Sequence, residues 1–143
     1  MMGLILSDIG ADAILKAYFN NSWPAANKNL TLKLYVTNVD PADTDTASSY
    51  TVATGGGYAD ITLNNGSWTV TPANNPSDAT YVEQTFTFTG ALTTNLTIYG
   101  YFVVDADAVL IWAEKFGSTF TPANNGDTLK VTPKFQMSKG TPT

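Results

Sequence analysis

The run from Thr93 to Phe116, TTNLTIYGYFVVDADAVLIWAEKF, constrains the fold more than any other stretch of this chain. Two arms rich in β-branched and aromatic residues flank Asp105-Ala106-Asp107, which is the composition of a β-hairpin with an acidic turn. In the first arm Leu96, Ile98, Gly100, Phe102 and Val104 share one face at the two-residue period of a strand, and Tyr99, Tyr101 and Val103 share the other. Both faces are largely apolar, whereas a half-exposed antiparallel strand alternates polar and apolar more cleanly. A two-stranded hairpin is marginal on its own in water, so something must cover it. Either it lies at the centre of a two-layer fold, or its second face is covered by another chain. On the second view the even-numbered face packs inward, and Tyr99 and Tyr101 are candidate interface residues.

The rest of the chain supplies further strands. Residues 29–37 alternate strictly, with Leu30, Leu32, Leu34 and Val36 on one face and Thr31, Lys33, Tyr35 and Thr37 on the other. Residues 38–49 hold Asp40, Pro41, Asp43 and Asp45 without an apolar pattern and read as a surface loop. Short strands follow around Gly55-Gly56-Gly57 and the Asn65-Gly66 turn. Residues 80–89 form a strand with a phase change near Gln84. Residues 128–137 form a last strand in which Pro133, unable to donate to a ladder, implies an edge or a bulge. Thr-Pro-Ala-Asn-Asn occurs at 71–75 and again at 121–125, which reads as reused turn chemistry.

Ahead of these strands, Gly3–Leu6 is an apolar lead-in, a strand or an arm. Ser7 caps an amphipathic helix expected over about residues 8–19. Leu4, Ile5 and Leu6 are candidate partner-contacting residues. At 143 residues the chain is expected to form one domain, 1–143, with an N-terminal arm and helix over about 1–20 and a frayed tail over 138–143. Turns every 8–12 residues predict a mainly β fold, an antiparallel β-sandwich or jelly roll with one short N-terminal helix.

Composition narrows the chemistry. The chain contains no Cys, no His and no Arg. Thiol nucleophiles, Ser-His triads and Cys/His zinc sites are therefore excluded, as is the guanidinium fork that reads phosphate and guanine. A net charge of −5 disfavours nucleic acid as a partner. No run approaches the ~20 apolar residues of a membrane-spanning helix. The start lacks the basic region of a signal peptide, so synthesis in the cytoplasm is expected and the four Asn-X-Ser/Thr sequons, at Asn20, Asn29, Asn65 and Asn95, read as chance.

Few residues remain for a site. Asp40, Asp43 and Asp45 offer hard oxygens of the kind calcium takes, but their spacing fits no EF-hand and a solvated acidic loop explains them equally well. Asp105 and Asp107 serve a hairpin turn more readily than a metal. Glu83 and Glu114 are the only glutamates, and nothing in the sequence brings them together as a catalytic pair. Trp23, Trp68 and Trp112 could stack on sugars, although core packing is the simpler role. No catalytic residue, metal or cofactor is expected.

Three stretches carry a resemblance: Met2-Gly-Leu-Ile-Leu-Ser; Ile98-Tyr-Gly-Tyr-Phe followed by Leu110-Ile-Trp-Ala-Glu-Lys-Phe; and Asn124-Asn-Gly-Asp-Thr-Leu-Lys-Val-Thr-Pro-Lys-Phe. In this order they resemble small tailed-bacteriophage virion proteins of the capsid decoration or cement type. The resemblance implies a β-rich, non-enzymatic protein on the virion surface. Its partner would be the major capsid protein, whose outer lattice it binds and stabilises, commonly as a homotrimer at three-fold positions. The acidic loop and the C-terminal tail lie outside the matching stretches. The alternative is a tail- or fibre-associated β-sandwich module that binds host-surface carbohydrate.

Overall fold

The alternation over residues 29–37 forms a strand that lies inside the largest of the three sheets found among the described residues. The computed structural model describes residues 5–10, 29–71, 77–93 and 95–137. Its strands are β1 (Ile5–Leu6), β2 (Leu30–Tyr35), β3 (Ile61–Leu63), β4 (Thr69–Thr71), β5 (Ser77–Thr80), β6 (Gln84–Thr87), β7 (Ile98–Val104), β8 (Leu110–Phe120), β9 (Thr128–Val131) and β10 (Lys134–Met137). One sheet has the order β1-β8-β7-β2-β3, and the others are β10-β5-β4 and β6-β9. Every pairing is antiparallel. The fold is mainly β, as expected, and its layering is that of a β-sandwich. Residues 8–10 are helical, where the N-terminal helix is expected to begin; the remainder of that helix and the expected C-terminal tail lie outside the described residues.

The two smaller sheets behave as one bent ribbon. Tyr81 N donates to Pro133 O (2.9 Å) and Phe88 N to Asp127 O (2.8 Å), which continues the pairing of residues 77–88 with 126–137 across a break. The break falls where Pro133 and the phase change near Gln84 place it. Proline has no N–H for the ladder, and the register slips by one residue between Thr80↔Lys134 and Gln84↔Val131.

Between this ribbon and the five-stranded sheet lies the main core. Leu32, Leu34, Val36, Tyr101, Val103 and Trp112 from one side meet Tyr81, Phe86, Phe88 and Val131 from the other, all buried. Each large apolar side chain so covered contributes about 1.5–3 kcal/mol.

The hairpin at the centre is indeed apolar on both faces, and this chain covers both itself. A second buried cluster of Tyr35, Tyr50, Phe102, Val104, Leu110 and Ala113 occupies the opposite face of the large sheet, with Val39, Ala47, Val52 and Tyr99 packed around it. Its cover comes from residues 38–52, of which 38–49 read as a surface loop in the sequence and are largely exposed. That segment also serves as a lid. Val36 N bonds Thr51 O, Ala53 N bonds Leu34 O, and a 3-10 turn at Ala47–Ser49 directs Tyr50 onto Phe102, ring centroids 5.2 Å apart.

The face assignment within the hairpin also needs correction, because two irregularities reset its phase. Ile98 pairs with Phe120 but Gly100 with Lys115, so residues 116–119 oppose Tyr99 alone. Ile98 therefore joins Tyr101 and Val103 in the main core, while Phe102 and Val104 face the lid. Near the turn, Val103 pairs with Trp112 and Val104 with Leu110, leaving Ile111 as a bulge. Ile111 and Trp112 consequently both enter the main core.

Candidate interaction surface

The N-terminal arm seats on the outer edge of β8. Ile5 pairs with Ala113 and Leu6 with Trp112. Ser7 then locks the junction: its hydroxyl donates to Leu110 O at 2.7 Å and accepts from Gly10 N at 3.0 Å, and the residue is 1% exposed. A Cβ at Gly10 would lie 2.4 Å from Ile111 O, so the close approach requires glycine. Asp8 N bonds Asp43 O (2.8 Å), which ties the arm to the lid. Of the candidate interface residues in this arm, Ile5 is half-buried, Leu6 lies in β1, and Leu4 lies outside the described residues.

Tyr99 and Tyr101 have different surroundings. Tyr99 is half-buried beside the lid cluster. Tyr101 is 3% exposed, packs on Phe116 and donates its hydroxyl to Glu114 Oε2 at 2.7 Å. Burial and then the Glu114 carboxylate push its phenol well above the usual tyrosine range. Its side chain fills the core and presents nothing to a neighbour, because the irregularity at Tyr99 turned its face inward.

The acidic residues serve local structure. Asp45 Oδ2 accepts Ala42 N (2.9 Å) and the Tyr50 hydroxyl (2.7 Å), and Asp40 pairs with Lys115 at 2.7 Å. Asp105 Oδ1 accepts the N–H groups of Asp107 and Val109, both at 2.9 Å, so it builds the hairpin turn in which Ala108 has φ +61. Glu83 pairs with Lys130 and Glu114 with Tyr101. Among the described residues no group of three or more acidic side chains is placed to hold a metal ion. Trp68 and Trp112 meet edge-on at 6.0 Å within the packing of the main core, and Trp23 lies outside the described residues.

One open slot was not read from the sequence. A cavity of about 180 Å³ is lined by Gly57, Tyr58, Ala59, Asp60 and Ile61 on one wall and by Thr85, Phe86 and Thr87 of β6 on the other. Tyr58 and Phe86 stack on each other across its floor, centroids 5.8 Å apart. Asp60 accepts the Tyr58 hydroxyl (2.8 Å) and is paired with Lys33 at 2.7 Å. Which strand edge remains open depends on tertiary pairing, so no run of residues announces such a slot. Compared with protein-family models, with curated proteins and with solved structures, the chain matches none of them.

Proposed function

We propose that this protein is a non-enzymatic bacteriophage virion protein that decorates the outer surface of a capsid, binding the major capsid protein lattice as a trimer and bridging neighbouring subunits. The resemblance of three stretches to small decoration proteins carries this reading. Its spatial coherence supports it: Ile5–Ser7, Ile98–Phe102 and Leu110–Phe116 lie in or directly beside the adjacent strands β1, β7 and β8, and residues 124–135 run through β9 into β10. A rigid β scaffold lacking Cys, His and Arg suits a role that is mechanical and not chemical. The lid and the arm occupy one face and one edge of the sheet that holds the hairpin, leaving the remaining edges and turns as the contact surface.

The test uses purified full-length protein and capsid shells of the phage that encodes it, stripped of this component. The protein should co-sediment with expanded shells, raise their melting temperature and occupy three-fold positions in trimeric copy number. Protein that ignores shells but is retained on polysaccharide, with retention abolished by Trp→Ala substitutions, would overturn the reading in favour of a glycan-binding module.

A further inference from the structure

We infer that the free edge of β6 at Thr85 and Thr87 is an acceptor for an extended peptide strand, donated by the shell protein that this chain is proposed to decorate. The inference rests on that proposal for the identity of the donor, and on hydrogen-bond parity for the existence of the site.

Backbone groups of successive residues in a strand point to alternate sides. Phe88 N donates to Asp127 O and Phe88 O accepts from Gly126 N, both at 2.8 Å, so the even-numbered residues of this strand face β9. Thr89 N donates the other way, to Gly56 O at 2.8 Å. The odd-numbered residues therefore face the 54–61 segment. That segment is held at Thr93 N→Thr54 O (2.8 Å), at the Gly55–Leu92 bridge and at Thr89–Gly56, and then diverges. Past the divergence the N–H and C=O of Thr87 and Thr85 open onto the slot and have no hydrogen-bond partner there among the described residues. Gly57, Ala59, Asp60, Thr85 and Thr87 are all exposed around it.

The chemistry of the occupant follows from these groups. Two donor–acceptor pairs two residues apart repeat at about 7 Å, which an extended polypeptide matches with its own alternate residues. A sugar would need a free aromatic face, but Tyr58 and Phe86 cover each other. Among the described residues the only charged side chain lining the slot is Asp60, and its pairing with Lys33 favours an uncharged strand. The edge also lacks two common blocks to strand addition: β6 is Gln-Thr-Phe-Thr, without lysine or proline, so its free backbone groups can template another strand.

Proline at position 87 tests the site, because it deletes an N–H that faces the slot and not β9. Full-length Thr87→Pro should melt cooperatively like the parent yet bind shells about tenfold more weakly or worse. Thr87→Val, which keeps the N–H, should bind normally. In parallel, amide hydrogen exchange of the unmodified protein should be fast at Thr85 and Thr87 when free and slow on shells, with Phe86 and Phe88 protected in both states; this measurement stands even if the proline variant fails to fold. Shell binding with unchanged exchange at Thr85 and Thr87, or undiminished binding by a folded Thr87→Pro, overturns the slot alone. Failure of the unmodified protein to bind shells overturns the donor together with the capsid assignment.

Discussion

Gly100 shows how little freedom the centre of the sheet leaves to a single residue. A Cβ there would lie 2.2 Å from Glu114 O and 2.5 Å from the hydroxyl of Tyr35. Neither can yield easily, since one is backbone and the other belongs to a fully buried ring. Gly100→Ala is therefore expected to destabilise the protein by about 1–3 kcal/mol through overpacking, read as a lower denaturant midpoint at constant slope. Gly90, around which a Cβ would meet nothing within 4 Å, is the matched control and should be close to neutral. The sequence places Gly100 in a strand, where glycine commonly marks a close approach, but it does not say what approaches.

The hairpin turn is the element whose design is most compact. Asp105 is 8% exposed, and one carboxylate oxygen satisfies both Asp107 N and Val109 N while its own N–H bonds Val109 O at 3.0 Å. Asp105→Ala leaves two N–H groups without this acceptor in a partly buried turn, at a cost of about 1–3 kcal/mol. Thermal unfolding will register it, whereas Asp107→Ala, at an exposed position, should change stability little. This turn was legible because Asp-Ala-Asp between two apolar arms is local chemistry. The break at Pro133 was legible for the same reason: a missing N–H is a property of one residue. The phase resets at Tyr99 and Ile111 were not, because a bulge depends on how many residues the partner strand supplies.

At the scale of the whole molecule, four tyrosines report on the integrity of both layers. Burial is the leading reason that Tyr35, Tyr50, Tyr58 and Tyr101 are pushed far above the usual value near 10, with Asp40, Asp45, Asp60 and Glu114 as neighbouring carboxylates that add to it. In the unfolded chain these phenols ionise near pH 10, while the folded protein holds them neutral. Stability is thus unaffected by them below about pH 10 and falls as pH rises beyond it, since only the unfolded state sheds the protons. Urea midpoints measured between pH 8 and 11.5 should drop above 10, and phenolate absorbance should show these four titrating only as the protein unfolds. Normal titration of all tyrosines near pH 10 in folded protein would contradict the packing of both the main core and the lid.

The sequence alone determined the β class, the inward alternation of Leu32, Leu34 and Val36, the acidic turn, the break at Pro133 and a hairpin apolar on both faces. These follow from two-residue periodicity and from side-chain chemistry acting within a few positions. Only the tertiary structure decided what covers that hairpin. The candidate second chain over Tyr99 and Tyr101 gives way, on that face, to the chain's own residues 38–52, and Tyr101 itself turns into the core. Only tertiary pairing also decides which backbone groups remain unpaired among the described residues, as on the slot side of Thr85 and Thr87. Both outcomes rest on contacts between segments far apart in the chain, where loop closure and strand register, neither encoded by local pattern, select among arrangements that bury the same apolar surface.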